Sequence, residues 1–472
     1  MQRINFGKFT RCLAPVFLVS FLFSSIYQIS LYSYALEIRT GDTERENNCV
    51  EYDSAENLIH IFCESIRLSG IAKQINNESI LRSEETAHNI DYKNRTDTTP
   101  EEVAKTWHLN AGLSIEKGAT LIIDSFDTFW LKISSTPTIQ NESSELTTNE
   151  YESNLTNSPE KIVSQREQTS LTGDKLLEVK KSDKPVITVS KNNKDNPNGI
   201  HVHGSLVIDS VKITSWDPEI NDVIKFRFGK RPGEVNTKSD YDTVEPRAFI
   251  RISRDATATT NITNSEIAYL GYSCSKCSGI SYYGGIGSIV RGNDIHHLLK
   301  GYYSNGMGNT VIENNLFHDN YLYGIDPHTG SHDMIIRNNT VYNNNASGII
   351  CSKQCYNILI EKNDVYKNKG PGIMFSIDMQ NSTAKNNYVH DMGSCISSNK
   401  GSSYNLISNN TMFNCKKAID LSNTFDNIIS NNNISKSDIG ILISNSSDKI
   451  YNNDITDTRE NTVVRNQTNI IS

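Results

Sequence analysis

After Ile29, no stretch of this 472-residue chain is apolar enough to cross a bilayer as a helix, so the body of the protein is expected outside the membrane. Nor is there an excess of basic residues. Against 54 Asp and Glu stand 46 Lys and Arg, giving a net charge of −8, and this argues against nucleic-acid binding. Any polyanion would have to be met by a local cationic groove. Helical periodicity is missing, and short β-prone runs separated by turn residues exclude a helical array or a leucine-rich repeat. A second CxxC is missing too. Cys274-Ser275-Lys276-Cys277 could be a redox pair or half of a zinc site, but no thioredoxin-like pattern accompanies it.

Asn and Ser are abundant instead, as a turn-rich architecture requires. An Asn, any residue and then an apolar residue recurs along the chain. The series is Asn293-Asp294-Ile295, Asn314-Asn315-Leu316, Asn339-Thr340-Val341, Asn363-Asp364-Val365, Asn387-Tyr388-Val389, Asn410-Thr411-Met412, Asn432-Asn433-Ile434 and Asn453-Asp454-Ile455. The period of roughly 21–25 residues is that of a solenoid. Each unit also carries two β-prone runs, of the types Asn357-Ile358-Leu359-Ile360-Glu361 and Gly348-Ile349-Ile350. The fold read from these features is all-β, a parallel β-helix solenoid with one coil per repeat. Its recurring Asn would sit at a turn and stack as an internal ladder.

The organisation read along the chain has four parts. Residues 1–35 form a signal peptide or an N-terminal anchor, with Arg3, Lys8 and Arg11 ahead of an apolar run and Ser33-Tyr34-Ala35 as a cleavage site. Residues 36–105 are a mixed segment capping the solenoid. Residues 106–457 form the β-helix, interrupted at 134–184 by a Ser, Thr, Asn, Glu and Lys-rich insertion too poor in large apolar residues to order itself. Residues 458–472 are a polar, frayed tail. Beyond Cys12, eight cysteines remain in a chain read as exported, an even number that fits disulfides, and Cys395 and Cys415 are spaced to clip adjacent coils.

One repeat departs from its neighbours and reads Tyr323-Gly324-Ile325-Asp326-Pro327-His328. Aligning repeats on their glycines stacks Gly301, Gly324, Gly348 and Gly372 on consecutive coils. If Ile325, Ile349 and Ile373 point inward, Asp326 and His328 point outward together. The residues before the glycines place Lys300 beside Tyr323, about 4.8 Å away on the next coil. Tyr303 and Lys353 flank the same surface. His328 and Tyr323 can move protons, Asp326 can orient or tune them, and Lys300 supplies a cation. Proton abstraction beside a carboxylate needs this set, because the carboxylate must be neutralised before a carbanion can form next to it.

With these residues in view, the chain resembles the right-handed β-helix mannuronan C5-epimerases, whose hallmark is a Tyr-Gly-(Ile/Val/Phe)-Asp-Pro-His motif. Leu270-Gly271-Tyr272, Ile213-Thr214-Ser215-Trp216-Asp217 and Asn339-Thr340-Val341-Tyr342 are similar as well, so the resemblance spans Trp107 to about Asp391. It implies a right-handed helix, with Tyr323 and His328 as the acid/base pair, Asp326 as their support and Lys300 as the ligand of the substrate carboxylate. Where the family carries His before the glycines of the next two coils, this chain has Ser347 and Pro371. Thr329 and Tyr321 likewise replace a family Asp and His. Lys353 and Arg337 are the further cations that could bind substrate.

The expected function is C5 epimerisation of mannuronate to guluronate within an anionic polysaccharide by an exported, secreted or cell-surface enzyme. A polyuronate lyase shares the first proton abstraction. A non-catalytic surface β-helix that binds glycans or a copper-maturation partner is the reading from another class. No cofactor or metal is expected, and calcium is compatible with the sequence but not indicated by it. The expected partner is the polysaccharide, with no nucleic acid, membrane contact only through the N-terminal segment, and a monomeric state.

Overall fold

The computed structural model describes residues 48–85, 104–135, 198–225, 246–256, 258–272 and 276–465. The expected signal or anchor at 1–35 lies outside these residues. So does the expected insertion at 134–184, apart from Ser134 and Ser135.

The described chain winds as a right-handed parallel β-helix with three strands per coil. The first face stacks Ile250–Ile252, Gly279–Tyr282, Lys300–Asn305, Ile325–His328, Ile349–Ser352 and Ile373–Ser376, all parallel. The second is a 12-stranded sheet that includes Val311–Glu313, His332–Arg337 and Tyr356–Glu361. The third includes Asp294–His296, Leu316–His318, Thr340–Tyr342 and Asp364–Tyr366. Strand alternation turns every second side chain into the coil. Ile325, Ile349 and Ile373 from the first face, Ile312, Ile336 and Ile360 from the second, and Phe317, Val341 and Val365 from the third are all fully buried. Each such side chain contributes about 1.5–3 kcal/mol of hydrophobic stabilisation, and together they form one continuous core.

The asparagine ladder closes the turn between the second and third faces. Asn339 Nδ2 donates to Ile312 O (3.0 Å) and to Asn363 Oδ1 (3.0 Å), and the same Oδ1 accepts the Asn339 backbone N–H (3.0 Å). The pattern links Asn293, Asn315, Asn339, Asn363, Asn387, Asn410, Asn432 and Asn453. Residues just before them, including Asn314, Asn338 and Lys362, take positive φ, which turns the chain sharply. One member differs from the sequence reading. The ladder residue is Asn315, not Asn314, because Phe317 is the inward residue of that coil while Leu316 is 41% exposed. A second ladder, Asn320–Asn344–Asn368, fills the turn into the first face.

Three further expectations are revised. Residues 49–84 do more than cap: Leu58–Ile61 and Ile66–Arg67 pair in parallel with the next coil and so form a coil of their own. The helix Leu68–Ile75 follows, burying Leu68 and Ile71, and Asp127 accepts the Ser69 N–H in its first turn. At the other end the tail does not fray at 458, because Glu460–Arg465 pairs in parallel with Ile439–Ser444. Among the cysteines, Cys49–Cys63 and Cys395–Cys415 are disulfides, the latter joining adjacent coils, and Cys277 is also bonded. Cys351 and Cys355 are buried free thiols, so not every cysteine is paired.

Candidate active site

The strand Ile325–His328 is held in place by what lies behind it. Gly324 must be a glycine because an added Cβ would stand 2.7 Å from Gly348 O and 2.6 Å from Val341 Cγ1. Gly301, one coil earlier, would bring its Cβ 2.4 Å from Gly324 O. The backbones of successive coils therefore touch at this column, and the side chains on either side of it are set in register.

That register brings Tyr303 opposite Asp326 and Asn305 opposite His328. Lys300 Nζ lies 3.0 Å from Asp326 Oδ2, 4.1 Å from the centre of the Tyr303 ring and 5.5 Å from that of Tyr323. The Gly301 N–H donates to Tyr323 O at 3.0 Å. The rings of Tyr303 and His328 are 5.6 Å apart. Lys300, Tyr303, Tyr323, Asp326 and His328 are thus one cluster on one face.

The environment of each group differs. Asp326 points away from the coil interior yet is 0% exposed, covered by its neighbours rather than facing solvent as the alternation alone implied. Burial raises its pKa, opposed by the Lys300 ammonium and then by His328. Its Oδ1 makes no hydrogen bond of ordinary geometry. Ser352 on the next coil also favours the charged carboxyl, after Lys300 and His328, and Lys300 at 3.0 Å is its ion-pair partner. Burial pushes His328 below the ordinary imidazole value. Lys300 and Lys353 act in the same direction, and Asp326 opposes them. His328 Nδ1 is 2.5 Å from Thr329 Oγ1. With Nδ1 carrying the proton and donating it to that hydroxyl, Nε2 presents a lone pair outward.

A cavity of about 700 Å³ opens against Lys300, Tyr303 and Asn305 and extends toward earlier coils past Tyr283 to Arg251 and Lys276. His328 does not line it but stands next to Tyr303, which does. Here is the local cationic groove that an acidic protein needs to meet a polyanion. Arg251, Lys276, Tyr283 and Asn305 were not singled out from sequence. Arg251 had a signal, since it is the outward residue of Ile250–Ile252 and its column runs through Ser281 and Tyr303 to Asp326. Among the described residues there is no group of three or more His, Cys, Asp or Glu arranged to hold a metal ion.

The structure separates two of the proposed substrate cations from one another. Lys353 follows the strand Ile349–Ser352 at a positive-φ turn, near enough to influence His328. Arg337 is not at the site. It ends a strand of the second face, where its Nε binds Glu313 Oε2 at 2.6 Å beside Arg291, which binds Oε1 of the same residue. The turn after Gly330 carries it round the corner, which spacing in sequence does not reveal.

Comparison with known proteins places this geometry among relatives of the same architecture. Residues 328–472 match the model of the right-handed β-helix region, and residues 221–399 match that of the periplasmic copper-binding protein NosD. The chain superposes on the periplasmic alginate epimerase AlgG with a TM-score of 0.57 and 16% identity, over 85% of this chain and 84% of that one. Against the A-module of the Azotobacter vinelandii mannuronan C5-epimerase AlgE4 the TM-score is 0.45 at 15% identity, over 76% and 87%. No curated protein sequence matches the chain. The chain therefore has the right-handed β-helix fold of the alginate epimerases.

Proposed function

We propose that this β-helix is an exported enzyme that epimerises C5 of mannuronate to guluronate residues within a polyuronate. One observation carries the reading. A buried carboxylate, Asp326, holds the Lys300 ammonium at 3.0 Å beside His328, at the end of an open groove rich in cations. An ammonium has three donors, so Lys300 keeps two for a substrate carboxylate after meeting Asp326. Drawing charge from that carboxylate acidifies the adjacent C5–H. His328, held largely neutral by its surroundings, takes the proton at Nε2. The Tyr323 phenol returns a proton to the opposite face of the ring. Asp326 positions Lys300 and does not touch the sugar. Proton removal and return need no electrons and no group carrier, so no cofactor is assigned.

The fold shared with AlgG and the periplasmic proteins of the matched models support export and a polysaccharide substrate. Incubation with polymannuronate in deuterated water, read by proton NMR, tests the reaction. Deuterium at C5 together with guluronate signals is the expected result, and His328→Ala should lower it by about 10²–10⁴-fold. Absence of deuterium from every uronate-containing polymer offered would sink the reading. An unsaturated, ultraviolet-absorbing product would show elimination in place of reprotonation.

A further inference from the structure

The groove is charged on one side of the reacting centre only. Toward earlier coils, Arg251, Arg254, Lys276 and Lys300 face the cavity, against a single carboxylate, Asp255, which is paired with Lys117 and His203. Toward later coils, the column that holds Asp326 continues as Ile350 and Met374, which are in register. The column of Tyr323 continues as Ser347 and Pro371, as the Gly348 N–H on Pro371 O and the Gly324 N–H on Ser347 O show. The column of His328 continues as Ser352 and Ser376. The outward positions of the two first-face strands, Ile349–Ser352 and Ile373–Ser376, and the residues before their glycines are all uncharged. Ile350 is 6% exposed, and Ser347 Oγ packs on Met374 Sδ at 3.9 Å. Two cations flank these strands without lying on them: Lys353 just past the end of Ile349–Ser352, and Lys369 two residues ahead of Pro371. Along the strand columns the next is Lys417, bonded to Asp420 at 2.9 Å on a coil four beyond Asp326.

Resting on the epimerase reading, we infer that the two coils after His328 form a subsite for an uncharged sugar. The preferred substrate is then a polymer in which the reacting uronate has a neutral sugar on that side, and the homopolyuronate is the slower one. A carboxylate laid on Ile350, Met374 and Pro371 would lose water with no donor of comparable strength in exchange. The C–H face of a neutral sugar suits that floor, and its hydroxyls suit Ser352 and Ser376, which both donate and accept. On the opposite side the cations favour a further anionic residue. Discrimination comes from desolvation against the wrong unit as much as from attraction to the right one.

The test uses two defined oligosaccharides, a homopolyuronate and an alternating polymer of uronate and neutral hexose, each incubated with the full chain in deuterated water. The expected result is a kcat/KM for C5 labelling at least about tenfold higher on the alternating polymer. Met374→Lys and, separately, Pro371→Lys, each checked for native circular dichroism, should shrink that ratio toward one by improving the homopolymer. Equal labelling of both polymers, or folded lysine variants with an unchanged ratio, would overturn this inference alone. No label in either polymer would overturn the epimerase reading and the inference with it.

Discussion

At the residue scale, the site rests on charges that tune one another. Burial, Lys300 and Lys353 hold His328 below the ordinary imidazole pKa, while the Asp326 carboxylate pulls it back up. A base must be unprotonated, so the acid limb of the pH–kcat/KM profile should fall below about pH 6.5, the unperturbed value. Asp326→Asn removes the one negative term, so it should move that limb further down while lowering the rate. An upward move would contradict the assignment of Asp326 as the neighbouring anion. The same depression has a sign for stability. Because the folded state favours neutral His328, its contribution is present above the unfolded pKa and is lost as pH falls through the window between the ordinary and the lowered value. Asp326, Tyr323 and His328 were legible because their spacing fixes a common face. The burial of Asp326 was not, because it depends on Lys300 and Tyr303 from another coil.

At the scale of the element, the ladder turns are held chiefly by hydrogen bonds to the coils on either side. Asn339→Leu would leave Ile312 O and the Asn315 backbone N–H without their present partners. A buried polar group so stranded costs about 1–3 kcal/mol, which the urea midpoint should record with little change in m. Gly324→Ala should cost a similar amount for a different reason, since its Cβ meets the Gly348 carbonyl at 2.7 Å. It should also depress activity more than Asn339→Leu does, because it displaces the strand that carries Asp326 and His328. The first ladder could be read from its period. The second, at Asn320, Asn344 and Asn368, was missed because it is short and gives way to Met392. From there strands of 12 residues, Tyr388–Asn399 and Thr411–Ser422, run straight through the corner.

For the molecule as a whole, coils touch only their neighbours, so stability is close to a sum over adjacent pairs. Breaking Cys395–Cys415 by a double change to Ser should loosen the later coils by about 2–4 kcal/mol. Hydrogen exchange should report this beyond Tyr388 while leaving the strand Ile325–His328 protected. Uniform loss of protection would argue against such local coupling. Long-range charge works at this scale too, and binding of an anionic polymer should weaken as salt rises, because the groove cations are solvent-facing. By itself the sequence determined the all-β solenoid, the period of its asparagine ladder and the shared face of Lys300, Tyr323, Asp326 and His328. Those follow from periodicity, and periodicity is a local property of the chain. Only the tertiary structure decided that Arg337 belongs to another face and that Arg251 and Lys276 line the groove. The physical reason is that these relations join residues one or more coils apart, and the turns that set which face they share are fixed by backbone geometry rather than by spacing.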